Sequence, residues 1–152
     1  MGSQGAAMAE PLLEDWLCLA LYRASRAVIR SYGPLLSDAG LTYPQYLVMT
    51  ALWQEDGPLG VSELGRRLGL DSGTLTPLLR RLEEQGRVER RRVDTDERRV
   101  MVHVTPAGQD LRRQVGHVAP SVARRYPLST QEAATLHAQL CRVTRVFEAS
   151  EG

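Results

Sequence analysis

The chain contains no lysine: all 19 of its basic side chains are arginines, and 18 acids offset them to leave a net charge of +1 over 152 residues. That near-balance excludes the broad basic field of a non-specific nucleic-acid coat. Any nucleic-acid contact must rest on where the arginines sit. Cysteine is scarce, with only Cys18 and Cys141, which excludes a disulfide-stapled scaffold and fits a reducing compartment that keeps both as thiols. No apolar run approaches the length of a bilayer span, and no basic-then-apolar leader with a small-residue cleavage site opens the chain, so a cytoplasmic location without membrane contact is expected. Residues 1–10 carry little information and are expected to be disordered or vector-derived, with Met8 as the natural start. Long linkers, repeats and low-complexity tracts are missing too. Residues 11–152 therefore read as a single domain, whose 43% hydrophobic content suffices for one core.

What is present is a helical chain interrupted by one short β segment. From Pro11, helical spacing of Leu13, Leu17, Ala20, Ala24, Ala27 and Val28 predicts a long amphipathic first helix, interrupted at Gly33-Pro34. Thr42-Tyr43-Pro44-Gln45 has the form of a capping box and predicts a second helix, apolar on nearly every side and hence central, ending near Asp56-Gly57-Pro58. A short third helix from Ser62 to Leu68 stops at Gly69. Asp71 or Ser72 then caps a fourth that runs to about Gln85 and stops at Gly86.

The pattern next changes period: Val88–Val93 and Arg99–Val104 alternate like strands, with Asp94 to Glu97 as the hairpin tip. Thr105-Pro106 opens a fifth helix from Ala107 to about Arg125, broken by Pro120 or ended by Pro127. A second capping box, Ser129 to Glu132, opens a last helix from Ala133 to Ala149. The fold class is mainly α with a small antiparallel β-wing: a winged helix-turn-helix with helices on both sides.

A DNA-reading helix presents short polar side chains to base edges and arginines to flanking phosphates. Ser72, Thr74, Thr76, Arg80 and Arg81 have that layout on the fourth helix. Pro77 removes one backbone bond, and its ring crowds the carbonyl of Gly73, which predicts a loosened first turn. The wing adds Arg90, Arg91, Arg92, Arg98 and Arg99 within ten residues, partly neutralised by Asp94, Asp96 and Glu97. From spacing alone, Asp96 is expected to hold the Arg98 guanidinium by a bidentate pair and aim it at a minor groove. Read without further information, the same hairpin also suits a solvated charged surface used for protein contacts.

Asp96-x-Arg98, followed after five residues by Val104-Thr105-x-x-Gly108, resembles the wing signature of the MarR family of dimeric winged-helix repressors, with valine where leucine is usual. The resemblance implies a homodimer built from residues 11–40 and 105–150. Residues 44–104 would form the DNA-binding lobe, with the wing at 87–104, on a double-stranded, pseudo-palindromic operator.

Cys18 lies among leucines, where a lone cysteine is usually a small buried hydrophobe. A peroxide-reactive role needs a stabilised thiolate. Glu14 and Asp15 oppose one, and a helix beginning near Pro11 puts its N-terminus about two turns away, so donor hydroxyls are required. Tyr22 lies one turn on and shares the face of Cys18; Tyr32, fourteen residues on, is about 21 Å away along one helix and must come from a partner subunit if it serves the thiol.

The segments Leu17-Cys18 to Tyr22, Tyr32-Gly33-Pro34-Leu35-Leu36, Leu41-Thr42-Tyr43-Pro44-Gln45-Tyr46 and Leu70 to Pro77 resemble the organic-hydroperoxide-sensing, OhrR-like branch. That resemblance implies that Cys18 is peroxidatic and that Tyr32 and Tyr43 reach it from the other subunit. Its oxidation to sulfenic acid would then release DNA. Two-cysteine members place a resolving cysteine around the position of Ala123 to Ser129, where this chain has none. The expected course is therefore a mixed disulfide with a small cellular thiol, or over-oxidation. Cys141 shares a face with His137 and reads as a buried interface thiol. Two ligands do not make a metal site, and neither a metal nor a cofactor is expected. Two other functions stay open: a MarR-type repressor released by a small phenolic or aromatic ligand with Cys18 as packing, and a thiol peroxidase, for which no recycling cysteine or second nucleophile–base pair is present.

Overall fold

The Thr42 hydroxyl accepts the Gln45 N–H while the Gln45 side chain accepts the Thr42 N–H at 3.0 Å, so the capping box forms and starts α2, Tyr43–Trp53. Tyr46, Val48, Met49, Ala51, Leu52 and Trp53 are all buried, which makes α2 the central helix its composition predicts. The computed structural model describes residues 11–151, and the expectations for residues 1–10 lie outside them. The chain divides into two compact units, one ending at Val118 and one starting at Ala119.

The first unit contains α1 (Leu17–Leu36), α2, β1 (Leu59–Gly60), α3 (Val61–Leu68), α4 (Ser72–Glu84), β2 (Val88–Val93), β3 (Asp96–Val104) and α5 (Pro106–Val115). A short α6, Val118–Ala123, begins at the border, and the second unit is mainly α7, Thr130–Glu148, opened by the Ser129–Glu132 capping box.

The helices depart from the sequence reading most at the two ends of α1 and in the fifth segment. Leu13–Asp15 forms a separate 3-10 turn and Trp16 is extended (φ −72°, ψ 124°), so α1 begins only at Leu17. It then continues through Gly33-Pro34, because a proline deletes a single backbone bond and the Ser37 N–H still closes on the Gly33 carbonyl. The fifth helical segment divides at Gly116-His117, not at Pro120, and Pro120 falls in the first turn of α6, where no N–H is needed. Pro77 does not interrupt α4.

In the helix-turn-helix, Gly69 ends α3 in the left-handed region (φ 64°), and the Asp71 carboxylate caps α4 by accepting the Thr74 N–H at 2.8 Å. Leu75, Leu79 and Leu82 recur at helical spacing and bury the inner face of α4. The wing has three strands, in the order β1-β3-β2, all antiparallel. β1 escapes the sequence reading because it is two residues long, pairing Leu59 with Val102 and Gly60 with Met101. β3 begins at Asp96, not Arg99: Val93 pairs with Asp96 across a tip of Asp94 and Thr95, with a register shift at Arg92/Val93. Main-chain pairing on an exposed hairpin tolerates the polar side chains that made this stretch read as loop.

Gly108 packs so tightly that a Cβ there would lie 2.2 Å from the Arg87 carbonyl oxygen and 2.7 Å from Val104 Cγ1. Gly108→Ala should therefore destabilise the fold by about 1–3 kcal/mol, the usual cost of overpacking. Urea denaturation of the variant at fixed protein concentration measures it; a midpoint equal to wild type contradicts the assignment.

Candidate nucleic-acid interface and thiol site

Ser72 is the first residue of α4, and Ser72, Thr74, Thr76, Arg80 and Arg81 are all exposed on it. Inward placement of the three leucines puts this polar set outside. A cleft of about 840 Å³ separates the start of α3, α4 and the wing; Ser62, Glu63, Thr76, Asp96, Arg98 and Arg99 line it. The helix and the hairpin thus share one groove.

The wing arginines divide by what holds them. Arg90 is bound to Glu83 through Nε (3.1 Å) and Nη2 (2.9 Å), and Arg91 to Glu89 at 2.8 Å. Arg92 donates to the Glu97 carbonyl at 2.7 Å. The N–H donors of Arg90 and Arg91 hold the Glu83 and Glu89 carboxyls below their usual range. Arg81, Arg98 and Arg99 have no such side-chain partner among the described residues, and Arg80 meets Glu84 only at 4.0 Å. The expected bidentate Asp96–Arg98 pair is not formed. Asp96 Oδ1 instead accepts the Arg98 main-chain N–H at 3.1 Å, the local turn that an aspartate two residues upstream favours, and this leaves the guanidinium uncommitted.

Cys18 is the second residue of α1 and is exposed. The separate 3-10 turn moves the helix start next to it, so the thiol stands in the first turn of a 20-residue helix, where the macrodipole favours negative charge. That corrects the expected two-turn distance. The Tyr22 hydroxyl accepts from Arg26 Nη1 at 2.7 Å, and the Arg26 guanidinium lies 5.3 Å from the ring centre. Tyr22 is therefore engaged along the helix with Arg26. Tyr32 packs against Tyr43 (ring centres 4.5 Å) and Tyr46 (5.9 Å), joining α1 to α2; Tyr46 is a member of this cluster that sequence reasoning did not single out. In the second unit Cys141, also exposed, lies 3.6 Å from His137 Nε2.

Both terminal helices leave apolar side chains uncovered. Among the described residues, α1 buries only Leu36 and α7 buries none. Trp16, Leu17, Tyr22 and Ile29 are exposed in or beside α1, and Leu136, Leu140, Val146 and Phe147 on α7, with Leu17 and Phe147 about 70% exposed. Patches of this kind mark interaction surfaces.

A three-stranded wing beside a capped helix-turn-helix, with polar and arginine side chains facing one groove, defines a winged-helix transcriptional regulator. The family model for the transcriptional regulator SarA/Rot matches residues 30–115, and the chain belongs to that family, which is of the MarR-like winged-helix type. The HTH-type transcriptional regulator TtmR of Methylorubrum extorquens is 53% identical over 100 residues, covering 66% of this chain and 51% of TtmR, so the match spans about half of that relative. An organic hydroperoxide resistance transcriptional regulator of Bacillus subtilis is 45% identical over 102 residues, covering 67% of this chain and 69% of the relative. Among solved structures, reduced AbfR bound to DNA, from Staphylococcus epidermidis, is similar with TM-score 0.74 and 34% identity, covering 86% of this chain and 91% of that one; an overoxidized form of AbfR is also bound to DNA. No described helix is long and apolar enough to cross a membrane.

Glu63, on the cleft wall, accepts from Arg66 Nη2 (2.7 Å) and Arg67 Nε (2.8 Å), and these two donors lower its pKa to about 2. Its contribution to stability is therefore present above the ordinary carboxylate value of about 4.3 and is lost as pH falls from there through about 2. A carbon-13 carboxyl titration of Glu63 should show the depressed midpoint, and Glu63→Gln should flatten the acid limb of the stability curve. An ordinary midpoint contradicts the pairing.

Proposed function

We propose that this chain is a cytoplasmic, homodimeric repressor that binds a pseudo-palindromic duplex operator through α4 and the wing and leaves it when an organic hydroperoxide oxidises Cys18. The observation that carries the reading is an exposed Cys18 in the first turn of α1, amid apolar side chains that a second subunit would cover. The hydroperoxide-resistance relative and the DNA-bound neighbour support it.

On each subunit Ser72, Thr74 and Thr76 would face base edges, while Arg80, Arg81, Arg91, Arg98 and Arg99 meet phosphate or minor groove, with Asp96 fixing the turn that carries Arg98. Half-sites would lie one helical turn, about 34 Å, apart. The Cys18 thiolate attacks the distal peroxide oxygen: an S–O bond forms, the O–O bond breaks, and the alkoxide leaves as the alcohol after taking a proton. Sulfur is oxidised and the peroxide reduced. A small cellular thiol then displaces water from the sulfenic acid to give the mixed disulfide. Because overoxidized AbfR is itself bound to DNA, the mixed disulfide is the favoured releasing form here. Tyr32 lies about 21 Å from the Cys18 of its own helix, so it and Tyr43 would serve the partner's thiol, with Tyr22 beside its own. One oxidation per subunit is a switch, and the chain is not read as an enzyme.

Gel-shift titration on a duplex enriched by the wild-type protein from a randomised library tests this. Wild type should leave the duplex at lower concentrations of cumene hydroperoxide than of hydrogen peroxide, and Cys18→Ser should stay bound to both. Release of the serine variant as readily as wild type overturns the redox reading in favour of a small-ligand switch. In the same assay Arg98→Ala should lower the salt slope by about one for each phosphate no longer neutralised, with Arg91→Ala costing less because Glu89 already holds it.

A further inference from the structure

Glu83 lies in the last turn of α4 and Arg90 is the third residue of β2, on either side of the Gly86 turn. One carboxylate accepts three N–H groups of that single residue: the main-chain N–H at 2.8 Å, Nε at 3.1 Å and Nη2 at 2.9 Å. The side chains of Arg90 and Glu83 are 28% and 35% exposed, more covered than a free surface pair. Arg90 also sits opposite Val102, the residue where β3 still has β1 on its other side. Beyond Met101, towards Arg98 and Arg99, the wing is a two-stranded ribbon, which has little stiffness of its own. The direction of its outer end is therefore set at its root, where, among the described residues, the Glu83 side chain of α4 bonds both the main chain and the guanidinium of Arg90.

We infer that Glu83 is a positioning residue for DNA reading: by clamping Arg90 it fixes the wing's angle to α4, so that Arg98 and Arg99 reach the same duplex that α4 enters. This rests on the DNA-binding reading above. The competing account is that Glu83 only neutralises Arg90, as most exposed pairs do, with no effect on geometry.

The two accounts predict opposite signs. Glu83→Gln removes a negative charge from the unit that would bind DNA, so electrostatics alone would tighten binding and steepen its salt dependence. Positioning predicts binding weaker by about tenfold or more and a salt slope reduced by roughly two per subunit as Arg98 and Arg99 no longer reach their phosphates. Fluorescence anisotropy over a salt series, with the full chain and a duplex enriched by wild type from a randomised library, reads both. Glu83→Asp keeps the charge but shortens its reach by a methylene; it should weaken binding in the same direction and covers the case in which the glutamine variant folds poorly. In both variants the Arg90 amide should exchange with solvent faster than in wild type. Tighter or unchanged binding by Glu83→Gln together with unchanged binding by Glu83→Asp overturns the inference and leaves DNA binding intact. If wild type enriches no duplex, the DNA-binding reading fails, and the inference with it.

Discussion

A main-chain junction at Gly86-Arg87 holds the reading head together. The Thr105 hydroxyl donates to the Gly86 carbonyl at 2.6 Å, and the Thr105 N–H donates to the Arg87 carbonyl at 3.2 Å. Gly108 approaches that same Arg87 carbonyl too closely for any side chain, and its own carbonyl accepts the buried Trp53 indole N–H at 3.1 Å. The end of α4, both ends of the wing hairpin, the start of α5 and the last turn of α2 therefore meet around Thr105 and Gly108. The Val104-Thr105-x-x-Gly108 pattern follows from this: threonine because it both caps α5 and reaches back, glycine because backbone passes where a Cβ would be. The signature is a packing constraint before it is a DNA contact.

The same economy governs charge. With a net charge of only +1, the chain cannot draw a duplex by its overall field, so the arginines left uncommitted near α4 matter more than their number suggests. Internal pairs engage Arg66 and Arg67 with Glu63, Arg90 with Glu83 and Arg91 with Glu89. Arg81, Arg98 and Arg99 have no such pair among the described residues.

The helical elements were legible because their signals are local. Capping boxes at Thr42 and Ser129, the Asp71 cap and the Gly69 stop depend on residues within four positions of each other, and each formed as its pattern predicts. What escaped depended on longer range or on competition. β1 is defined only by its pairing with β3, and Glu83 reaches Arg90 only because the Gly86 turn folds the chain back. Gly33-Pro34 reads as a stop by propensity, yet α1 continues through it. Asp96 had two possible grips on Arg98, and spacing could not choose between guanidinium and main chain. The start of α1 was misplaced by more than a turn, because the 3-10 turn at Leu13–Asp15 and the extended Trp16 carry no local signal that separates them from the helix.

α2 connects the two halves of this arrangement. At its first residue Tyr43 packs on Tyr32 of α1, with Tyr46 one turn on, and at its last residue Trp53 donates to the Gly108 junction. Between them the helix is buried on nearly every side, and close-packed interiors transmit displacement instead of absorbing it. One buried, eleven-residue helix therefore joins the tyrosine cluster to the point where α4, wing and α5 are tied. The two ends of this helix are held differently: ring contacts tilted by 42° join Tyr43 to Tyr32, whereas at Gly108 backbone passes where a Cβ would be.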